Sequence, residues 1–164
     1  MADTPKVVLI PIGGLGGSQL EAINLMAETI PGVKVARMSR SNDYLDAHSD
    51  IWHTLNAYRE AWFLFVGHSL GGGTARNSAN YAILDGRKVF GVMLLDDVEY
   101  SFGPHESKCP NTAVYMAENS FPFIPCDIAG FPAVHVPNTN HNTLCQSQTV
   151  LDRVKAELLK AVAL

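Results

Sequence analysis

The chain reads as a three-layer α/β protein, with a mostly parallel sheet of about six strands and helices on both faces. Two observations carry this. Short, continuous apolar runs such as Val7-Val8-Leu9-Ile10 and Phe63-Leu64-Phe65-Val66 have the length and β-branched or aromatic content of strands buried on both sides. Segments with helix-spaced apolar residues stand between them up to the fifth strand, the order expected of a parallel sheet. At 164 residues the expectation is one domain spanning residues 1–164, long enough to bury roughly 70% of its unfolded surface.

Taken in order, Lys6 to Ile12 forms the first strand and ends in Gly13-Gly14-Leu15-Gly16-Gly17-Ser18. This loop matches neither G-x-G-x-x-G nor G-x-x-x-x-G-K-[ST], so a phosphate cradle is disfavoured. Ser18 caps a helix through Leu20, Ile23, Met26 and Ala27 that Pro31-Gly32 stops. Val33 to Met38 is a second strand, Ser39 to Asp50 a polar loop, and Ile51 to Ala61 a helix. A third strand at 63–66 runs into Gly67-His68-Ser69-Leu70-Gly71, and Gly72 to Leu84 is the helix that follows. Strands at Lys88 to Asp97, Asn111 to Met116 and Ala133 to Val136 come next. Gln146 to Leu164 is the last helix, with Val150, Leu151, Val154, Leu158, Leu159 and Val162 on its apolar stripe.

The segment at 67–71 is a G-x-S-x-G nucleophile elbow. Glycine two before and two after the serine lets a strand turn sharply into a helix, which leaves Ser69 at the tip of the turn. The small residues Thr74, Ala75, Ser78 and Ala79 let that helix lie close to the sheet. Leu70 opens the helix, so its free N–H is a donor for an oxyanion. The glycine loop at 13–18 is read as offering further backbone donors to an oxyanion, with a purely structural turn as the alternative. His68 is read as a packing residue of the turn, because a base has to approach Ser69 from another segment.

A serine hydroxyl needs a base, and the base an acid. Of six histidines, His141 lies in Pro137-Asn138-Thr139-Asn140-His141-Asn142-Thr143, directly after the last strand, whereas His135 falls within that strand and is expected to be buried. His48 and His53 are expected at the surface. Phe121-Pro122-Phe123-Ile124-Pro125-Cys126 is apolar but broken by two prolines, so it is no central strand. Phe121, Phe123 and Ile124 are therefore expected to wall an acyl pocket or to pack as a plain loop.

Composition narrows the classes. Hydrophobic residues make up 47% and charged ones 17%, with a net charge of −4 and no basic stripe, which argues against nucleic acid and against a polybasic membrane surface. The three cysteines, Cys109, Cys126 and Cys145, form no CxxC and are odd in number. A reducing compartment is the simpler inference, with one bridge among them still open. The sequence as written shows neither a leader nor a long apolar span, so the expectation is a soluble, cytoplasmic protein. No zinc-ligand spacing is present, and neither metal nor cofactor is expected.

Phe65-Val66-Gly67-His68-Ser69-Leu70-Gly71-Gly72, then Asp85-Gly86-Arg87-Lys88-Val89, then Leu94-Leu95-Asp96, resembles the α/β-hydrolase superfamily and its thioesterase-domain and lipase-like branches. The resemblance covers residues 62–97, more loosely 6–18 and 133–143. It implies a serine hydrolase with Ser69 as nucleophile, His141 as base, and Leu70 with the Gly14-Leu15 turn as oxyanion-hole backbone. For the acid it leaves alternatives. The thioesterase-domain pattern falls on Asp96, with Asp97 and then Asp127 behind it, while the pattern of many other members points to Glu118 or Asp127. The leading antiparallel strands and the lid insertion of larger members are missing, since Val98 to Pro110 is too short for a lid. This implies a minimal α/β-hydrolase with an open site for small or accessible acyl groups. The expected activity is cleavage of a small-molecule carboxylic ester or thioester through an acyl-enzyme. A peptidase or amidase on the same residues, or a non-catalytic binding protein on the same fold, are the alternatives.

Overall fold

The computed structural model describes residues 4–14, 19–36, 47–98 and 105–164. Among these residues six strands form one sheet: β1 (Val7–Ile12), β2 (Val33–Val35), β3 (Trp62–His68), β4 (Val89–Leu95), β5 (Thr112–Asn119) and β6 (Ala133–Asn140). Their spatial order is β2-β1-β3-β4-β5-β6, and every neighbouring pair is parallel. Among the described residues the α-helices are α1 (Glu21–Glu28), α2 (Ala47–Ala57), α3 (Leu70–Leu84) and α4 (Gln148–Val162), with a short 3-10 turn at Leu144–Gln146.

Strand alternation explains why the apolar runs are continuous. Val7, Leu9, Leu64, Val66, Met93 and Leu95 pack with α1 and α4, whose Ile23, Ala27, Val150, Val154 and Leu158 face them. Val8, Ile10, Phe63, Phe65, Val92 and Leu94 pack on the other side with Ile51 and Leu55 of α2 and Ala75, Ala79 and Ala82 of α3. β1, β3, β4 and β5 thus each feed two cores, and a polar residue on either face of these strands would be stranded in one of them.

The order of the strands places the site. From β1 the chain crosses to β2 on one side, then returns past β1 to β3 and proceeds outwards in the opposite direction. The carboxyl ends of β1 and β3 therefore flank a switch point, the crevice where open sheets of this kind hold ligands. Gly13 and Gly14 follow β1 there, and Ser69 follows β3.

Several boundaries differ from the sequence reading. Residues 47–50 belong to α2 and not to a polar loop, because Ala47 and Ile51 bury on one helix face. The last strand continues through Pro137 to Asn140. Proline is tolerated because β6 is an edge strand, paired only with β5. For the same reason His135 is exposed rather than buried: one face of an edge strand has little to cover it. The Ser18 cap, Leu15, Arg37 and Met38 of the expected second strand, and the polar loop through Asp46 lie outside the described residues, as does the middle of the 98–110 connection. Among the described residues no helix is long and apolar enough to cross a membrane.

Candidate active site

The elbow is built by close approach. A Cβ on Gly67 would meet the Gly71 carbonyl oxygen at 2.6 Å and the Ala75 Cβ at 2.7 Å, and one on Gly71 would collide with the carbonyls of Ile12 and Gly13. Only glycine lets β3 turn directly into α3 against the end of β1. Ser69 is held at φ 56° and ψ −131°, a conformation that costs a non-glycine residue on the order of 1–3 kcal/mol. Its backbone is pinned against relaxing. The Ser69 N–H donates to Leu95 O at 3.0 Å, and Ser69 O accepts from Gly72 N–H at 2.9 Å and Val98 N–H at 3.1 Å.

His141 is the first residue after β6 and is presented by an Asx turn. The Asn140 side-chain oxygen accepts from the N–H groups of Asn142 and Thr143 at 3.0 and 3.1 Å, and the Thr143 hydroxyl accepts from Asn140 N–H at 2.9 Å. The turn aims the imidazole at the elbow. His141 Nε2 lies 2.9 Å from Ser69 Oγ, and His141 Nδ1 lies 3.1 Å from Asp96 Oδ2.

Asp96 is fully buried at the end of β4 and has φ 44°. Its carboxylate accepts from Ala117 N–H at 2.8 Å through Oδ1 and from the Ser120 hydroxyl at 2.8 Å through Oδ2. Burial alone pushes the carboxyl up. The hydrogen bonds from His141, Ala117 and Ser120 outweigh it and hold the group below its ordinary value. The remaining acid candidates stand elsewhere. Asp97 is buried beside Gly72, with Arg76 Nε 3.8 Å from its carboxylate. Glu118 is exposed and accepts from Asn138 N–H at 2.7 Å. Asp127 is exposed. Of the four, the structure brings only Asp96 to the His141 ring.

His68 does more than fill the turn. Its Nε2 lies 2.8 Å from the backbone carbonyl of His141, and the two rings are 4.6 Å apart. Burial, and next the neighbouring His141, push His68 down to about 4, so the ring is neutral and donates Nε2–H to that carbonyl. A bond to a carbonyl 73 residues away leaves no pattern in the sequence.

A cavity of about 260 Å³ opens over Ser69, lined by Gly14, Gln19, Leu70, Val98, Phe123 and Asn142 as well as the two histidines. Gly14 packs so close that a Cβ there would lie 2.8 Å from Ser69 Cβ and 3.0 Å from its Oγ. Leu70 starts α3, where an N–H has no helical acceptor. Of the three apolar residues expected to wall the pocket, Phe123 does so and also stacks on His141, with centroids 4.0 Å apart and planes at 23°. Phe121 and Ile124 do not line the cavity and are 87% and 84% exposed. In the turn closed by Phe123 N–H to Ser120 O at 2.8 Å, the Phe123 ring lies against His141 and is 38% exposed, while Phe121 and Ile124 face out.

Cys109 and Cys145 are free thiols. Burial pushes the Cys109 and Cys145 thiols up, away from the thiolate form.

No protein-family model matches the chain, and no curated protein matches it in sequence. Solved structures do match in shape. A candidate YdeN-like hydrolase from Pectobacterium atrosepticum superposes with a TM-score of 0.68 at 17% identity, covering 95% of this chain and 92% of the other. A structure from the metagenome-derived lipolytic enzymes LipS and LipT gives 0.67 at 14% identity, covering 96% and 95%. The type II thioesterase BorB from the borrelidin biosynthetic cluster gives 0.66 at 14% identity, covering 93% and 92%. At such identities the likeness speaks for architecture. The chain has the α/β-hydrolase fold.

Proposed function

We propose that this protein is a serine hydrolase that cleaves carboxylic esters or thioesters of small acyl groups through an acyl-enzyme on Ser69. The observation that carries the reading is the continuous chain from Ser69 Oγ to His141 Nε2 at 2.9 Å and from His141 Nδ1 to Asp96 Oδ2 at 3.1 Å.

In this mechanism Ser69 Oγ attacks the acyl carbon while His141 Nε2 takes the hydroxyl proton. Asp96, held ionised by its three donors, fixes the tautomer with Nδ1–H and stabilises the imidazolium. The tetrahedral oxyanion rests on the Leu70 N–H and on backbone N–H groups of the 14–15 turn, of which Leu15 lies outside the described residues. Each such donor is worth roughly 3–4 kcal/mol in the transition state. His141 returns the proton to the leaving alcohol or thiol, and water deacylates the enzyme by the same path in reverse.

Ester and thioester cleavage is favoured over amide cleavage because these leaving groups ask less of the acid. Lipolytic enzymes and a thioesterase stand among the neighbours of the same shape. A cavity of about 260 Å³, with Phe123, Val98 and Leu70 on its apolar sides, suits a short acyl group.

The test is steady-state hydrolysis of a short p-nitrophenyl ester and its thioester analogue by wild type, Ser69→Ala and His141→Ala. Both variants should lose nearly all turnover, and the double variant little more than either, because the residues act as a unit. Turnover near wild type in Ser69→Ala would refute the nucleophile.

A further inference from the structure

The turn after β5 touches the His141–Asp96 pair from two sides. On one side the Ser120 hydroxyl donates to Asp96 Oδ2 at 2.8 Å, the same oxygen that faces His141 Nδ1. On the other side the Phe123 ring lies flat on the His141 imidazole, 4.0 Å between centroids. Phe123 N–H donates to Ser120 O at 2.8 Å, so both contacts issue from the two ends of one hydrogen-bonded turn.

Resting on the serine-hydrolase reading, we propose that Ser120 and Phe123 are positioning residues, two jaws of a brace that sets the angle and the dryness of the bond between His141 and Asp96. Each half of that bond has a freedom that the brace removes. Asp96 Oδ1 is tied to Ala117 N–H, but one tether leaves the carboxylate free to tilt. The Ser120 hydroxyl occupies one lone pair of Oδ2 and leaves the other aimed at Nδ1. His141 stands on a turn at the end of an edge strand, and its imidazole can swing about χ1 unless something covers its face. Phe123 covers that face and keeps water from the Nδ1 hydrogen bond, which strengthens it in the lower local dielectric. The ring's negative π-face also favours the imidazolium that forms as Ser69 attacks.

Ordinary packing residues would matter for stability alone. Positioning residues must also change the state of the Nδ1 proton. The test uses protein labelled with ¹⁵N-histidine, as wild type and as the S120A, S120T, F123L and F123Y variants, each shown by circular dichroism to be folded. Wild type should show a low-field His141 Nδ1–H resonance that exchanges slowly. In S120A that proton should exchange about tenfold faster or more, the loss expected of one charge-assisted hydrogen bond, and in F123L it should exchange several-fold faster as the covering ring is removed. S120T, which keeps the hydroxyl, and F123Y, which keeps the ring, should restore it. With a short p-nitrophenyl ester, S120A should lower kcat about tenfold while KM stays within about twofold, since the interaction strengthens in the transition state. An S120A resonance with the wild-type shift and exchange rate overturns the brace. Should S120A not fold, F123L reads the other jaw by the same proton. If the resonance responds as stated but wild type neither hydrolyses esters nor reacts with a fluorophosphonate, the brace stands and the serine-hydrolase reading falls.

Discussion

At the scale of single residues, two adjacent aspartates face different ways and meet different fates. Asp96 turns through φ 44° to reach His141, whereas Asp97 turns back beneath α3 beside Gly72 and Arg76. Asp96→Asn keeps shape and removes charge, so kcat for a p-nitrophenyl ester should fall by about four orders of magnitude, as for the aspartate of serine proteases. Asp97→Asn should leave kcat within about tenfold and lower the urea midpoint instead, because it weakens a buried ionic contact. Equal losses of kcat in the two variants would contradict this division. The tight turn under Ser69 is legible in the sequence, since no other arrangement needs glycine at both 67 and 71 with so little room. The meeting of Asp96 with His141 is not legible from patterning. It depends on a backbone twist at one residue, and only the likeness of Leu94-Leu95-Asp96 to thioesterase domains pointed to it. Ser120 is not legible either, because a lone serine after a strand carries no signal of what it donates to.

At the scale of elements, β3 ends in a neutral histidine whose bond to the His141 carbonyl ties the elbow to the turn after β6. The sign of its pH effect follows from a folded pKa of about 4 against an ordinary value of 6.5. Between those values the unfolded chain binds a proton that the folded one refuses, so stability rises with pH across this window and falls on acidification. The full effect is about 3 kcal/mol. Asp96, held below its ordinary value, acts in the same direction at lower pH. In urea titrations from pH 7 to 4, the stability gap between wild type and His68→Gln should narrow as the pH falls. Parallel curves would show that His68 does not refuse the proton. Element boundaries were least legible where the sheet has an edge: Pro137 reads as a strand breaker, and it breaks nothing in β6 because only one side of that strand is paired.

At the scale of the whole molecule, the alternation of strands and helices was open to view because every central strand must satisfy two apolar faces. The strand order was not, since nothing local tells β3 to cross β1. The last helix is fastened by a polar clamp as well as by its apolar stripe. Buried Glu157 accepts from Asn111 Nδ2 at 2.9 Å and Lys160 Nζ at 2.8 Å, with Arg153 at 3.2 Å. Burial pushes its carboxyl up, but these partners outweigh it and hold the group below its ordinary value. Glu157→Ala should cost about 2 kcal/mol of unfolding free energy by leaving the half-buried Asn111 amide with Phe90 O as its remaining acceptor. Because α4 packs away from the cavity, kcat should not change. A fall in kcat at unchanged stability would mean that the clamp communicates with the site.

The central claim is that Ser69 is the atom that bonds to substrate. The most direct measurement is the intact mass of wild type, Ser69→Ala and His141→Ala after incubation with a fluorophosphonate, followed by peptide mapping of any adduct. The account predicts one adduct per chain in wild type, mapped to Ser69, none in Ser69→Ala, and labelling slowed by orders of magnitude in His141→Ala. An unlabelled wild-type chain, or an adduct on any residue but Ser69, would contradict it.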